Sequence, residues 1–360
     1  MSNTTSLIFY ITTFIISGNI FRLYENKNPI IRKIGICLTL AIPTLLSAFR
    51  FQVGTDYSNY DFLFSYLREH SWKHILVTDI KWEIGFKILI KLLATIGNNQ
   101  FIFGTLSLLT LCFFIYSLKY YESCDIQISY FIYLFFYFWG ALNIVRQSLA
   151  LAIIFYAYHF IFENKKCKFY LYVFLATTIH TSAIIMFPIY YIWNHKKNKT
   201  IAPILRRLIL CFFVIGTCIW RTLLQIVIAS GWKFATKFTY LLSNNNGLNR
   251  DIFVKIIILL VFIIFEKKYR KNNKQNELFI YLFVFSCIIS FTGYQITFFK
   301  RIALYFEMPF LILIGRFPFF FSKGGSRLLV KCLIIFVGCM YFILGAFVLG
   351  HAEIIPYQWR

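Results

Sequence analysis

Long runs of apolar residues, separated by short polar segments, extend along almost the whole chain. A run of about 20 apolar residues is the length that a helix needs to cross the roughly 30 Å hydrocarbon core of a bilayer. The pattern therefore predicts a series of membrane-spanning helices. The predicted spans are residues 6–22, 34–49, 100–118, 127–141, 143–162, 208–229, 252–265, 278–293, 299–315 and 328–349.

The apolar stretch at residues 168–193 differs from these runs, because basic segments flank it on both sides. Lysines lie at 165–168 before it, and lysines and arginines lie at 196–207 after it. A single crossing would place one basic segment on the external side, whereas short basic loops face the cytoplasm. We therefore predict a re-entrant hairpin that folds back near His180, with two halves of about 20 Å each. Such backbone is tolerated in a membrane only where protein or water surrounds it.

Residues 82–96 form an apolar segment that is too short to cross a bilayer comfortably. Lys87 and Lys91 are four positions apart and therefore share one helical face, with apolar residues around the rest. This pattern is typical of a helix that lies in the membrane interface. We expect an interfacial helix at about 84–96, preceded by an external loop at 52–83.

The composition supports the membrane class, because 59% of the residues are hydrophobic and only 14% are charged. A chain of 360 residues with this composition does not form soluble domains. We predict an all-α polytopic membrane protein with about 11–12 membrane segments, in a single integral domain over residues 1–360. The net charge of +23 lies mainly in short loops, which orients the chain in the membrane and argues against a nucleic-acid partner.

The N-terminus and the cysteines exclude two further classes. No Lys or Arg precedes Arg22, so the chain lacks the basic region of a cleaved signal peptide, and we expect its first apolar run to remain as a span. The nine cysteines lie mostly within predicted spans and form no CxxC pair. We therefore expect them to be packing residues, without a disulfide framework or a metal site.

The orientation that the basic loops predict places several charged residues at the external ends of their helices. Arginines in that position need a negative partner, and ionisable residues inside a membrane are candidate functional groups. A phosphate is such a partner, because a guanidinium fork binds two phosphate oxygens at once. Internal ion pairs, Arg50 with Asp56 or Arg301 with Glu307, are the alternative. The external charged residues are Arg50, Asp56, Arg146, Arg221 and Arg301.

Several segments, taken together, carry a resemblance to a known family. In chain order they read RFQVGTDYSNYDF, WEIGF, NIVRQSLALAI, ATTIHTSAII and RIALYF, followed by a late PY. Their order and spacing resemble the EpsG family of membrane proteins, which is related to the O-antigen polymerases of the Wzy type. The resemblance covers nearly the whole chain. The positions that match the family's motifs are Arg50, Gly54, Asp56, Tyr57, Glu83, Arg146, Gln147, His180 and Arg301.

The resemblance implies a glycosyltransferase fold of the multi-span C type and a place in the bacterial inner membrane. It implies a polymerase of polyprenyl-diphosphate-linked repeat units, for O-antigen, capsule or exopolysaccharide, acting at the outer face. The implied partners are a lipid-linked glycan donor and acceptor and membrane lipids, with a chain-length regulator as a further candidate. An O-antigen ligase-type transferase and a membrane acyltransferase remain alternatives. A flippase or transporter of lipid-linked glycans is another, although the chain shows no internal repeat.

Glycan transfer from a lipid diphosphate requires stabilisation of the departing diphosphate and removal of a proton from the acceptor hydroxyl. Arginines can stabilise the departing diphosphate, because a fixed cation in a water-poor site stabilises the negative charge that develops there. The base candidates are His180, Asp56 and Glu83, with His180 first because a neutral imidazole nitrogen is available near pH 7. The alternatives are a hydrogen-bonded core role for His180 and, for Asp56, orientation of Arg50 or capping of a helix.

The arrangement of external charged residues also indicates whether the reaction uses a metal and which residues bind substrate. External carboxylates occur singly along the sequence, whereas magnesium on a diphosphate usually uses one or two positioned carboxylates. We therefore expect a reaction without a metal or other cofactor. We expect substrate to be bound by Arg50, Arg146, Arg221, Arg301, Tyr57 and Gln147.

Overall fold

The computed structural model describes residues 1–77, 82–194, 250–292 and 297–359, together with four isolated helical positions between residues 222 and 229. Within these residues the fold is all-α, and the only β pairing is one isolated bridge between Arg50 and Trp359. Six helices in the described part are long and apolar enough to cross a bilayer, and three shorter helices are also apolar. The predicted all-α polytopic membrane fold is confirmed. The predicted span at 208–229 lies outside the described residues.

α-Helices make up most of the described residues. In chain order they are α1 (Asn3–Ile20), α2 (Pro29–Ala48), α3 (Tyr57–Glu69), α4 (Trp72–Val77), α5 (Ile84–Ile96), α6 (Asn99–Leu118), α7 (Ile126–Ala141), α8 (Val145–Phe162), α9 (Lys166–Ile179) and α10 (Phe187–Asn194). They continue with α11 (Arg250–Ile264), α12 (Glu266–Asn272), α13 (Gln275–Thr292), α14 (Thr297–Glu307), α15 (Phe310–Arg316) and α16 (Gly325–Phe342).

The chain divides into two compact units. The first contains Met1–His159, Leu171–Ile184 and Ile314–Arg360, and the second contains Phe160–Tyr170 and Ile185–Leu313. The single integral domain expected over residues 1–360 remains a prediction.

Capping residues mark where two of the membrane helices begin. The Asn28 side chain accepts a hydrogen bond from the Ile30 N–H at 2.9 Å, and Pro29 occupies the first helical position of α2. Asn98 caps α6 in the same way, accepting from the Phe101 N–H at 2.9 Å. Each cap satisfies N–H groups that have no partner within the helix, which fixes the start of the span.

Aromatic side chains fill the interior of the first unit. The ring centroid of Phe14 lies 5.7 Å from those of Phe135 and Phe138, and 5.3 Å from that of Phe342. These contacts are edge-to-face, the arrangement that aromatic pairs favour. They pack α1 against α7 and α16 and hold the scaffold on which the candidate site is built.

The apolar stretch around His180 folds back as predicted. Helix α9 ends at Ile179, a 3-10 turn runs over Thr181–Met186, and α10 follows. Within the second unit, the ring of Tyr170 lies 5.6 Å from that of Phe187 and 5.8 Å from that of Tyr190. Residues on α9 and α10 can touch in this way only if the chain reverses between them. The hairpin is confirmed, and its depth in the bilayer remains a prediction.

The segment expected as an external loop at 52–83 is largely helical, because α3 and α4 lie within it. The lysines of α5 face this segment: Lys91 Nζ donates to the carbonyl oxygens of Leu67 at 2.9 Å, Arg68 at 3.1 Å and His70 at 2.7 Å. An ammonium group at these carbonyls satisfies the C-terminal end of α3 and complements its dipole.

The apolar face of α5 is therefore its outward face. Four side chains at four-residue spacing are exposed, and Lys87 and Lys91 on the other side are buried. The interfacial position of this helix remains a prediction. Its lysine face is directed into the protein and its apolar face is exposed. The exposed side chains are Ile84, Ile88, Leu92 and Ile96.

Candidate functional site

Glu83, at the start of α5, joins three segments of the first unit through its carboxylate. Its Oε2 atom lies 2.5 Å from Arg146 Nη1. Its Oε1 atom lies 3.2 Å from His180 Nδ1, and accepts hydrogen bonds from the Thr181 N–H at 2.9 Å and the Thr181 hydroxyl at 3.1 Å. The structure thus brings together an arginine from α8, a histidine from the hairpin turn and a carboxylate between them.

The local backbone explains why these groups meet. Glu83 stands at the N-cap position of α5, but its side chain makes no capping bond and reaches the turn after α9 instead. Gly85 lets α5 come close to that turn, because a Cβ atom there would lie 2.5 Å from Thr178 Oγ1 and 2.7 Å from the Thr178 carbonyl oxygen. Arg146 is placed by the first turn of α8.

The electrostatics of the cluster keep Glu83 ionised. Its side chain is only 15% exposed, and this burial raises the pKa. Hydrogen bonds from His180 and Thr181, together with the charge of Arg146, outweigh burial and lower the pKa of Glu83 to about 2. A carboxylate with so low a pKa is a weak base. Its geometry suits it to orient His180 and Arg146.

His180 is the group in the cluster that can accept a proton. A carboxylate at Nδ1 favours the tautomer in which Nδ1 carries the hydrogen, and this leaves the lone pair on Nε2. Nε2 makes no hydrogen bond to any residue in the described part of the chain, and the side chain is 16% exposed. This arrangement suits a histidine base oriented by a carboxylate. The role of His180 as a base remains a prediction.

Arg146 is held by aromatic rings as well as by Glu83. Its guanidinium carbon lies 4.8 Å from the centroid of the Trp82 ring and 5.9 Å from that of Phe86. Tyr60 packs against Trp82 with ring centroids 5.4 Å apart and also contacts Arg146. Within the described residues, the buried Nε atom of Arg146 has no hydrogen-bond partner, so this guanidinium keeps a donor for a further acceptor.

Arg50 is fully buried just after α2. Its Nη1 donates to the Leu142 carbonyl oxygen, and its guanidinium carbon lies 4.7 Å from the centroid of the Phe103 ring and 5.7 Å from that of Tyr57. Burial lowers the pKa of Arg50 to about 10, so the group stays protonated at neutral pH. No carboxylate among the described residues forms an ion pair with it.

Asp56 takes neither of its two alternative structural roles in the described part of the chain. It occupies the N-cap position of α3, but its side chain makes no capping hydrogen bond. It forms no ion pair with Arg50 either, so the internal Arg50–Asp56 pair is absent. Asp56 does not join the contacts of Glu83, and its role as a base remains a prediction.

A family profile described as the EpsG family matches residues 33–359. The match covers well over half of the chain. It includes every residue of the Glu83 cluster, which consists of Glu83, Arg146, His180 and Thr181. The chain belongs to the EpsG family. No curated protein and no solved structure matches it significantly. Membership in this family, whose general role is that of a Wzy-type polymerase, assigns the protein to polysaccharide biosynthesis.

The remaining candidate residues of this EpsG-family protein lie in different surroundings. Tyr57 is buried and stacks on Phe103 with centroids 5.0 Å apart, and Gln147 is buried on α8 beside Arg146. Gly54 has a φ of 101°, which favours glycine, and it approaches the Asn143 side chain closely. The substrate contacts expected of Tyr57 and Gln147 remain predictions.

Two candidate arginines are not part of the Glu83 cluster as described. Arg221 lies outside the described residues. Arg301 is exposed on α14 in the second unit. Glu307, its alternative internal partner, pairs with Lys255 at 2.6 Å.

Three residues of the candidate site were not identified from the sequence. Thr181 follows His180 directly, Trp82 precedes Glu83 directly, and Tyr60 lies one helical turn after Tyr57. Each is adjacent in sequence or helical register to a residue that the motifs did single out, and this adjacency is the signal that could have revealed them.

Proposed function

We propose that this EpsG-family protein polymerises polyprenyl-diphosphate-linked oligosaccharide repeat units at the outer face of the bacterial inner membrane. The observation that carries the proposal is the Glu83 carboxylate, which binds Arg146 at 2.5 Å and lies 3.2 Å from His180 Nδ1. Glycosyl transfer from a lipid diphosphate needs a cation for the leaving group and a base for the acceptor. This cluster supplies both in one place.

In the proposed step, the Nε2 atom of His180 takes the proton of an acceptor hydroxyl on one repeat unit. The hydroxyl oxygen forms a bond to the anomeric carbon of the donor glycan. The bond between that carbon and the phosphate oxygen breaks, and its electron pair remains on the lipid diphosphate. Glu83 stabilises the imidazolium that forms on His180, as a carboxylate does in other histidine-base sites.

Arg146 stabilises the diphosphate as it leaves. Its Nη1 is bound to Glu83, and the buried Nε has no partner among the described residues. A fixed guanidinium in a water-poor site stabilises developing negative charge without reorganisation, and bidentate phosphate binding is specific to arginine. The Trp82 ring below the guanidinium restricts its orientation.

The Glu83–His180 contact favours a transferase over a flippase. A flippase of lipid-linked glycans also needs cations for the diphosphate, but it forms and breaks no covalent bond and needs no oriented base. An O-antigen ligase-type transferase uses the same chemistry on a different acceptor, so its product separates it from a polymerase.

The proposal is tested by deleting the gene in its host and identifying the lipid-linked glycans that accumulate. A polymerase predicts single repeat units on the polyprenyl diphosphate at the outer face, without polymer. Accumulation of repeat units at the inner face would indicate a flippase. Accumulation of complete polymer on the lipid would indicate a ligase-type transferase.

A further inference from the structure

The C-terminal segment of the chain pairs with the segment that contains Arg50. We call residues 350–359 the C-terminal strap. Besides the bridge between Arg50 and Trp359, the Phe51 N–H donates to the Gln358 carbonyl oxygen at 2.9 Å. The Gly54 N–H donates to the Glu353 carbonyl oxygen at 3.0 Å. The strap therefore follows the Arg50 segment along most of its length.

A further contact ties the strap to the start of α8. The Asn143 side-chain amide donates to the Ala352 carbonyl oxygen at 2.8 Å. Tyr357 of the strap is fully buried, and its hydroxyl donates to the Leu46 carbonyl oxygen at 2.8 Å. With the strap in place, Arg50 is 0% exposed.

Among the described residues, no carboxylate hydrogen-bonds to the buried guanidinium of Arg50. Its Nε and Nη2 atoms are buried and make no hydrogen bond to any described residue. Its Nη1 atom donates to the Leu142 carbonyl oxygen, and the rings of Tyr57 and Phe103 lie beside the guanidinium. Native proteins pair nearly all buried polar groups, and an uncompensated buried charge is costly. An anion within reach of Nε and Nη2 would compensate this charge.

The backbone on both sides of the pairing is strained. Gln52 has a φ of 52°, and Ala352 and Glu353 in the strap have φ values of 70° and 49°, the left-handed region that non-glycine residues rarely adopt. Strain of this kind persists where the surrounding structure enforces it and is concentrated at ligand clamps and moving segments.

Arg50 lies close to the group that binds the leaving diphosphate in the proposed reaction. Its Nη1 contacts the carbonyl oxygen of Leu142, three residues before α8 begins, and Arg146 lies in the first turn of that helix. Tyr57 packs near Arg50, and Tyr60, one turn further along α3, contacts Arg146. The two arginines therefore flank the N-terminus of one 18-residue helix, an end that favours anions.

We propose that Arg50 is a second phosphate-binding residue, which reaches the diphosphate of the lipid-linked substrate when the C-terminal strap lifts. The inference rests on the proposed function, because it names how that substrate is held. Two arginines match the two phosphates: Arg146 binds one, and Arg50 binds the other once it is uncovered. The closed strap keeps the guanidinium away from water and other anions.

The test locks the strap with an engineered disulfide, Phe51→Cys with Gln358→Cys. These positions oppose each other in the antiparallel pairing, where Cα atoms are about 5.5 Å apart, a separation that a disulfide can bridge. Neither residue belongs to the candidate site. Purified protein is assayed oxidised and after dithiothreitol, for elongation of lipid-linked repeat units and for phenylglyoxal labelling of Arg50 located by mass spectrometry.

We expect the oxidised double variant to elongate lipid-linked repeat units at least about tenfold more slowly, with recovery after reduction. In the reduced protein, phenylglyoxal should label Arg50, and geranyl diphosphate should protect Arg50 more than geranyl monophosphate does. In the oxidised protein, Arg50 should react slowly. The two single-cysteine variants control for the native cysteines and should respond to neither treatment. A locked protein that elongates normally, with Arg50 labelled at the same rate, would overturn the proposal.

Labelling also separates this inference from the proposed function. If the wild-type protein elongates nothing, the polymerase proposal fails, and protection of Arg50 by geranyl diphosphate still decides whether the strap covers a phosphate site. If elongation proceeds but geranyl diphosphate does not protect Arg50, the polymerase stands and the Arg50 site is rejected.

Discussion

Glu83 and His180 are 97 positions apart in the sequence, and the Oε1 atom of Glu83 lies 3.2 Å from Nδ1 of His180. The same carboxylate holds Arg146 through its other oxygen. One side chain thereby sets the orientation of a proton acceptor and of a cation.

Glu83→Gln keeps the shape of the side chain but removes its charge. The amide can still accept from Thr181, but it no longer stabilises an imidazolium or pairs with Arg146. We expect elongation of lipid-linked repeat units to fall by about 10- to 100-fold and the free energy of unfolding by about 1–3 kcal/mol. Elongation rates and thermal unfolding in detergent measure these effects. A variant with wild-type activity would show that the carboxylate has no positioning role.

The stability difference between wild type and Glu83→Gln should depend on pH in a defined direction. The folded pKa of Glu83 is about 2, below its ordinary value of 4.5, so the carboxylate stabilises the folded state above pH 4.5. That contribution is lost as the pH falls from 4.5 towards 2. We expect the difference in melting temperature to shrink as the pH falls from 4.5 towards 2. A difference that grows over this range would contradict the assignment.

Gly85→Ala should disturb the site from the backbone. Its Cβ would lie 2.5 Å from Thr178 Oγ1 and 2.7 Å from the Thr178 carbonyl, so α5 must move away from the hairpin and carry Glu83 with it. We expect a lower melting temperature and at least about a tenfold loss of elongation. Gly140→Ala is the matched control, because nothing lies within 4 Å of its added Cβ. Equal effects of both substitutions would reject this explanation.

Arg146→Lys keeps the positive charge but loses the guanidinium fork and its stacking on Trp82. Polymer should fall about tenfold or more, while the amount of inserted protein stays normal. Arg32→Lys is the control at an exposed position. Arg50→Lys and Arg301→Lys test the same role for the other candidates. Normal polymerisation by all three variants of the candidate arginines would show that charge alone is sufficient.

The hairpin predicts the membrane side of its two flanks. Topology reporters fused after Lys166 and after Lys199 should both be cytoplasmic, because a chain that folds back near His180 returns to the side from which it entered. Opposite readings would mean that the segment crosses the bilayer, and the external positions assigned to Arg221 and Arg301 would be wrong.

The fold and half of the site could be read from the sequence, and physical reasons explain the rest. Hydrophobic runs predicted the spans, and basic flanks on both sides of one stretch predicted the reversal at His180. Helix α3 was missed inside a polar loop, although its buried residues Tyr57, Tyr60, Phe64 and Leu67 follow helical spacing.

Tertiary contacts were the other limit. Glu83 was singled out, but its pairing with Arg146, 63 positions away, depends on how α5, α8 and the hairpin pack. The orientation of α5 shows the same limit, because two lysines on one helical face fit both a lipid interface and the cap of α3. Local pattern does not distinguish these environments.

The central claim is that His180, oriented by Glu83, takes the acceptor proton without the help of a metal. Its most direct test is the elongation rate of purified wild-type and His180→Ala proteins on lipid-linked repeat units in excess chelator. We predict that the wild type elongates under these conditions, and that His180→Ala is slower by about 10²-fold or more with substrate binding nearly unchanged. Undiminished elongation by His180→Ala, or loss of wild-type activity on chelation with recovery in magnesium or manganese, would contradict the account.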